Sequence, residues 1–218
     1  MTEHDFSELL SRAESDTLDF KATQYDFSGS DDERKEKRAK FVKDILCLAN
    51  TPKQSPAYIV LGVNRLRDGT NDLWGIAQHV DDAVLQDKVT GWLHPNPRFS
   101  YETVQYQGKS YGLITIPAAR EMGPFFCIGD GVGDILTPNR LYFRRSSKNA
   151  IASPEEQRAI YAWFIGQPHH QLPMVVDSSK SPWDAFLESV DHFDPRRSFV
   201  LLLSPMPRNI SATDLQGL

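Results

Sequence analysis

Three side chains that could act together on a phosphate lie within one short stretch near the N-terminus. The stretch reads Glu14-Ser-Asp-Thr-Leu-Asp19-Phe-Lys21, so Glu14, Asp19 and Lys21 fall within eight residues. The pattern predicts a short strand whose side chains alternate, with Leu18 and Phe20 facing a core and Asp19 and Lys21 facing a surface or cleft. Two carboxylates and an ammonium can hold a divalent metal ion and a phosphate. The plainer interpretation is a solvated strand edge, and the residue types alone favour it.

The composition is that of a soluble globular protein. The chain has 218 residues, 40% of them hydrophobic and 24% charged, which suits one large domain or one domain with an appendage. No apolar run approaches the roughly 20 residues of a membrane span, and the first residues lack the basic and apolar regions of a secretion signal. We therefore expect no secretion signal and no membrane partner. Cys47 and Cys127 form no CxxC or Cys/His cluster. This disfavours structural zinc and fits a reducing, cytoplasmic compartment.

Charge is clustered along the chain. The net charge of −5 argues against a protein covered in phosphate-binding charge, but it leaves room for a local basic patch. A helix predicted over residues 33–49 has a basic first half, which could face phosphate or could form a solvated face with i,i+4 pairs. A second cluster lies in Arg140-Leu-Tyr-Phe-Arg144-Arg145. There, strand alternation puts Leu141 and Phe143 on one face and Arg144 on the other.

Periodicity and turn residues predict a mixture of helices and strands. A continuous apolar run at 57–63 is typical of a central strand buried on both faces, and Asn64 follows it. Ser153-Pro154-Glu155-Glu156 predicts a capped helix start. The other predicted elements are a helix at 6–12, a strand at 17–21, a strand at 72–76, a helix at 81–93, a hairpin at 99–116, a strand at 140–145 and a helix to about residue 165.

The composition shifts after Gly166. Residues 1–166 are predicted to form one domain, and residues 167–182, rich in proline and serine, are predicted to be a linker. Residues 183–218 form a predicted appendage of one helix and one apolar strand. A strand buried on both faces needs neighbours, so we expect either the start of a further domain of a longer chain or an addition to the main sheet.

The order of several short motifs resembles a known domain. The motifs are Glu14-Ser15, Leu18-Asp19-Phe20-Lys21, Leu48-Ala49-Asn50-Thr51, Ile59 to Asn64, Trp74-Gly75-Ile76, Pro97, Ile114 to Pro117, Gly123-Pro124-Phe125-Phe126, Leu141 to Ser147, Ala150 and Glu155-Glu156. Together, over roughly residues 7–166, they resemble the Schlafen-type AlbA-like domain. The resemblance implies an α+β fold with a mixed β-sheet and packed helices, and a role with nucleic acid.

The resemblance also implies a set of site residues. In the nuclease branch of the family, acids form a metal-dependent RNase site, and the matching positions here are Glu14, Asp19 and Asn64, with Lys21 beside them. The implied metal is Mg²⁺ or Mn²⁺, held by Glu14 and Asp19. Asn64 departs from the family pattern because it offers one neutral oxygen, whereas hard cations favour carboxylates. The stretch Thr51-Pro-Lys-Gln-Ser-Pro56 also replaces the usual Gly-Gly turn.

Three functions follow as hypotheses. The first is a metal-dependent nuclease acting on RNA or DNA, in which Lys21 neutralises charge on the phosphate. The second is a nucleic-acid-binding module without catalysis. The third is an interaction or homo-oligomerisation domain, which the acidic net charge keeps open. By analogy the family implies a part of a larger protein in antiviral defence or RNA control. The candidates for binding nucleic acid are Lys37, Arg38, Arg144, Arg145 and Lys148.

Overall fold

A four-stranded mixed sheet covered by helices on its two faces forms the centre of the fold. The computed structural model describes residues 1–120, 122–129 and 131–165. The helices are α1 (Glu3–Ser11), α2 (Asp31–Asn50), α3 (Asp82–Val89) and α4 (Pro154–Ile165). The strands are β1 (Leu18–Lys21), β2 (Ala57–Leu61), β3 (Val63–Arg65), β4 (Asn71–Leu73), β5 (Leu93–His94), β6 (Ser100–Tyr106), β7 (Lys109–Ile116), β8 (Phe126–Cys127), β9 (Tyr142–Arg145) and β10 (Lys148–Ile151).

The topology of the sheet places the acidic stretch at an edge. The strand order is β1-β2-β7-β6, with β1 parallel to β2 and the other two pairings antiparallel. Within the described residues, three further pairs, β3–β4, β5–β8 and β9–β10, form separate two-stranded sheets. The predicted α+β fold with a mixed sheet and packed helices is therefore confirmed.

Strand alternation divides the core into two clusters. In β2, Ile59 and Leu61 belong to the cluster that contains the apolar half of α2, whereas Val60 belongs to the cluster around α1. Both sets are fully buried, as the continuous apolar run predicted. In β1, Leu18 and Phe20 join the α1 cluster, so the other face of β1 is turned towards α2.

Helix α2 begins two residues before the predicted start. Ser30 and Glu33 form a capping box, in which the Ser30 backbone N–H donates to Glu33 Oε2 and the Glu33 backbone N–H donates to Ser30 Oγ. The aspartates at positions 31 and 32 suit the first turn of a helix, because negative side chains are favoured near its positive N-terminal end. The helix ends at Asn50, before Pro52, which cannot continue it.

Two predicted elements were placed wrongly in part. Helix α3 ends at Val89 rather than near residue 93, since Gly91 has a φ of +76° and the chain then forms β5 against β8. Strand β9 pairs with β10, which the sequence did not predict. Both faces of β9 are covered, because Tyr142 and Arg144 are as buried as Phe143.

The close approach of Gly62 to Gly75 gives a stability prediction. Gly62 has a φ of +92°, and a Cβ there would lie 2.7 Å from the backbone carbon of Gly75. We expect Gly62→Ala to lower the free energy of unfolding by more than about 3 kcal/mol, because backbone strain of about 1–3 kcal/mol adds to this clash. Urea denaturation measures the loss. Gly108→Ala is the matched control, since Gly108 has a φ of +72° but open space around it. Equal losses in the two variants would contradict the role of the contact.

Some predictions lie outside the described residues. These are the linker at 167–182 and the appendage at 183–218. Among the described helices, none is long and apolar enough to cross a membrane.

Candidate functional site

Asp19 lies in a buried ion-pair arrangement rather than at a solvated edge. Only 5% of its surface is exposed. Arg144 Nη2 donates to Asp19 Oδ1 at 2.7 Å, and Lys21 Nζ lies 2.8 Å from Asp19 Oδ2. The predicted alternation is correct, since Leu18 and Phe20 pack in the α1 cluster and Asp19 does not. The face that Asp19 occupies is covered, because Asp19 contacts Arg144 of β9 and Lys21 beside it contacts Asp44 of α2.

A second carboxylate, on α2, completes this arrangement. Asp44 Oδ2 lies 3.2 Å from Lys21 Nζ and accepts a hydrogen bond from the Tyr25 hydroxyl at 2.8 Å. Its Oδ1 accepts from Asn149 Nδ2 at 2.6 Å. Two carboxylates and two cations are therefore in contact. We call this set the buried charge network, and its members are Asp19, Lys21, Asp44 and Arg144. Sequence reasoning missed Asp44, although an acid within the apolar half of a helix is a signal of a paired, buried charge.

Arg144 fixes the network to three other segments. Its Nε donates to the Ser15 carbonyl at 2.8 Å, and its backbone N–H donates to Thr51 Oγ1 at 2.9 Å. Its Nη1 also lies 3.4 Å from Asn149 Oδ1. Only 3% of Arg144 is exposed. Its guanidinium therefore binds groups inside the domain and does not reach a ligand at the surface.

The protonation states of the network follow from these contacts. Burial works to lower the pKa of Lys21, but Asp44 and Asp19 outweigh it, and the pKa is raised above its usual value. Lys21 is thus a permanent cation and cannot serve as a general base near neutral pH. Burial, together with the charge of Asp44, raises the pKa of Tyr25 well above its usual value, so Tyr25 remains a donor.

The predicted metal ligands are already engaged in other contacts. Both oxygens of Asp19 already lie beside cations, and Glu14 Oε1 accepts a hydrogen bond from the Phe20 backbone N–H at 3.2 Å. Asn64, on β3, pairs across the hairpin with Asp72. Over residues 1–120, 122–129 and 131–165, no three side chains of His, Cys, Asp or Glu are grouped to hold a metal ion. As placed, these residues do not fit a divalent cation.

Carboxylates neutralise three of the five predicted nucleic-acid-binding residues. Lys37 Nζ lies 2.6 Å from Asp26 Oδ2, and Arg145 donates two hydrogen bonds to the carboxylate of Glu156. Arg144 belongs to the buried charge network. The fourth, Lys148, is exposed at the start of β10, where its backbone is paired with that of Arg145.

Arg38, the fifth, differs because all of its acceptors are neutral. Its Nε donates to the carbonyl of Lys88 at 2.6 Å, and its Nη2 donates to the carbonyls of Asp87 and Thr90 at 3.1 and 3.2 Å. Its guanidinium carbon lies 4.9 Å from the centroid of the Trp92 ring. The side chain is therefore held in place by four contacts while it keeps its full positive charge.

Arg38 lies in a groove lined by cations and aromatic rings. The groove has a volume of about 380 Å³, and its lining residues are Phe27, Arg34, Lys35, Arg38, Lys88 and Trp92. We call it the basic groove. Lys88 Nζ lies 5.0 Å from the centroid of the Phe27 ring, as Arg38 lies over Trp92. The sequence singled out Arg38 and the basic start of α2, but it gave no signal that Lys88 and Trp92 come to the same place.

The family of the chain follows from comparison with known proteins. The family model described as Schlafen, AlbA_2 matches residues 14–153, more than half of the chain. The chain belongs to this family. The matched residues of this Schlafen AlbA_2 domain include the buried charge network and the basic groove, and the predicted resemblance is confirmed.

Two solved structures resemble this Schlafen AlbA_2 chain more distantly. The DIP2311 protein of Corynebacterium diphtheriae is 18% identical, with a TM-score of 0.46 over 72% of this chain and 27% of its own length. The N-terminal domain of a Nitrosomonas europaea protein related to the ATP-dependent DNA helicase RecG is 19% identical, with a TM-score of 0.43 over 70% of this chain and 94% of its own length. This chain thus spans about a quarter of the Corynebacterium protein. No curated protein matches the sequence.

Proposed function

We propose that this domain binds nucleic acid through the basic groove. The supporting observation is that Lys35, Arg38 and Lys88 line one groove, while no described carboxylate lies within ion-pair distance of any of them. Cations that already have a carboxylate partner gain little from a phosphate, whereas these three keep their charge for a ligand. The proposal therefore moves the interface away from Arg144 and Arg145.

The acidic net charge is compatible with this proposal. Salt at physiological ionic strength screens charges beyond about 8 Å, so a polyanion at the groove senses mainly the local cations. Phosphate contacts release counterions, and each contact changes the slope of log affinity against log salt by about 0.7–0.9. Binding is thus expected to be weak, dependent on salt and largely independent of sequence.

Neutralising two groove lysines tests the proposal. We expect Lys35→Gln combined with Lys88→Gln to lower affinity for labelled RNA and DNA oligonucleotides by about tenfold at low salt, and to reduce the salt slope by about 1–2. Fluorescence anisotropy in the presence of EDTA measures both quantities, which keeps the assay independent of metal.

The matched control removes the same charge elsewhere. Lys109→Gln with Arg158→Gln takes two cations from positions outside the groove, where Lys109 donates to the Leu73 carbonyl and Arg158 pairs with Glu155. An equal loss of affinity in this control would mean that binding depends only on the net charge of the protein. Absence of binding by the wild type at low salt would contradict the proposal and favour the interaction or oligomerisation role.

Metal-dependent cutting is the finer function that the family resemblance implies, and it stays a prediction. The cations beside Asp19 and the amide at position 64 support binding over cutting. Oligonucleotide cleavage with Mg²⁺ or Mn²⁺ tests this directly. Cleavage that requires the metal and is lost in Glu14→Ala would establish a nuclease and overturn the preference for a binding module.

A further inference from the structure

We infer that the basic groove holds an unpaired nucleotide, so that the domain prefers single-stranded nucleic acid to a duplex of the same sequence. This inference rests on the proposed nucleic-acid binding and names the class of ligand. It is carried by the size of the groove, by the aromatic rings among its cations and by the way those groups are held in place.

The size of the groove suits one nucleotide. The groove is open to solvent along one side, and its volume of about 380 Å³ is at the lower end of the range of about 300–1,000 Å³ that is typical of ligand pockets. A duplex presents its phosphates on a convex surface and keeps its bases stacked inside. A concave site of this size can therefore contact the backbone of a duplex, but it cannot enclose any of its bases.

The aromatic rings give the groove surfaces that a base can use. Trp92 and Phe27 are both half-buried and reach the groove beside the cations. Unpaired bases stack on aromatic rings and on guanidinium planes, whereas bases in a duplex have no free face to offer. The Arg38 guanidinium over Trp92 is such a plane, and the flexible stem of Lys88 can move off Phe27 to meet a phosphate.

The groups that would contact the base are held before binding. The Trp92 backbone N–H donates to the Val89 carbonyl at 3.0 Å, and the Trp92 carbonyl accepts from the Ile128 backbone N–H at 2.9 Å. Arg38 is fixed by carbonyls at the end of α3. The main chain of Trp92 is thus fixed, and the Arg38 guanidinium lies over its ring, so these two side chains lose little conformational entropy on binding.

A comparison of single strand and duplex tests the inference. We expect a labelled single strand to bind about tenfold more tightly than its duplex at the same salt concentration. Trp92→Leu should weaken single-strand binding by about tenfold and duplex binding by less than twofold. Trp92→Phe, which keeps a ring, should restore most of the affinity. Trp74→Leu is the control, because Trp74 is exposed and lies outside the groove.

A second measurement needs no variant at the groove. A single strand that contains 2-aminopurine should change its fluorescence on binding the wild-type domain, because stacking alters the emission of this base. Thermal melting shows whether Trp92→Leu still folds. If it does not, the 2-aminopurine measurement still tests the inference. A fluorescence change on binding supports the inference, and its absence across all positions of the strand overturns it.

The outcomes separate this inference from the proposed function. In one outcome, single strand and duplex bind with equal affinity, and the Lys35→Gln and Lys88→Gln pair lowers both affinities. This outcome overturns the inference of an unpaired nucleotide but still supports nucleic-acid binding by the groove. No salt-dependent binding of either form overturns both.

Discussion

Replacing Asp19 by asparagine is expected to lower the free energy of unfolding by about 3 kcal/mol. Asparagine keeps the shape of the side chain and one acceptor, but it removes the charge that lies 2.7 Å from Arg144 and 2.8 Å from Lys21. Removing one partner of a buried ion pair costs about 3–5 kcal/mol, since the remaining charge is left without compensation. Arg144 is buried, so water cannot take over the role of the lost carboxylate.

The sign of this change separates a structural role from a metal-binding role. Carboxylates grouped to hold a metal repel one another without it, so neutralising one of them would stabilise the domain in EDTA. A carboxylate that lies between two cations stabilises the domain, so neutralising it lowers the free energy of unfolding. Urea denaturation of Asp19→Asn in EDTA therefore tests the buried charge network directly, and an increase in stability would contradict our account of it.

An exposed ion pair provides the control for Asp19. Asp26 pairs with Lys37 at 2.6 Å, but its side chain is 58% exposed. Asp26→Asn makes the same chemical change in water, where such pairs contribute at most about 1 kcal/mol. Asn at this position also keeps an acceptor for the Ser28 backbone N–H. We expect a loss much smaller than that of Asp19→Asn, and a loss as large as that one would mean that burial is not the cause.

The sequence predicted which face of its own strand or helix a side chain occupies better than it predicted which other elements cover that face. Alternation placed Asp19 on the face of β1 opposite Leu18, and this was correct. Its ion-pair partner Arg144 is 125 residues away, and strand periodicity does not say which element will cover a given face. The prediction of a surface or cleft for Asp19 was wrong because α2 and β9 close over that face.

The basic groove shows the same limit. The charge pattern of α2 marked Arg38, but the neighbours that give it a role come from other elements. Lys88 and Trp92 were predicted to lie in one helix, but the helix ends at Val89, and the turn at Gly91 precedes Trp92. A local pattern identifies which residues carry charge. The assembly of the elements decides which charges are neutralised and which remain for a ligand.

Asn50 is expected to be as important for stability as Asp19. It is fully buried at the end of α2, where its Nδ2 donates to the carbonyls of Phe125 and Tyr142 at 2.8 and 2.9 Å. Its Oδ1 accepts from the Phe125 backbone N–H at 2.8 Å. This single side chain thus satisfies three backbone groups from two other segments. The stretch Leu48-Ala49-Asn50-Thr51 carried part of the family resemblance, and its asparagine has a structural role.

Asn50→Ala should lower the free energy of unfolding by about 4 kcal/mol, because each buried backbone group that loses its partner costs about 1–3 kcal/mol. Asn50→Asp leaves no cavity and keeps the acceptor, but it sets a carboxylate against the carbonyls of Phe125 and Tyr142, so at neutral pH it should cost at least as much. Asn96→Ala, in an exposed loop, should change stability by less than about 0.5 kcal/mol. Thermal and urea denaturation of the three variants measure these differences. An aspartate variant close to the wild type would show that packing volume, and not hydrogen bonding, makes Asn50 important.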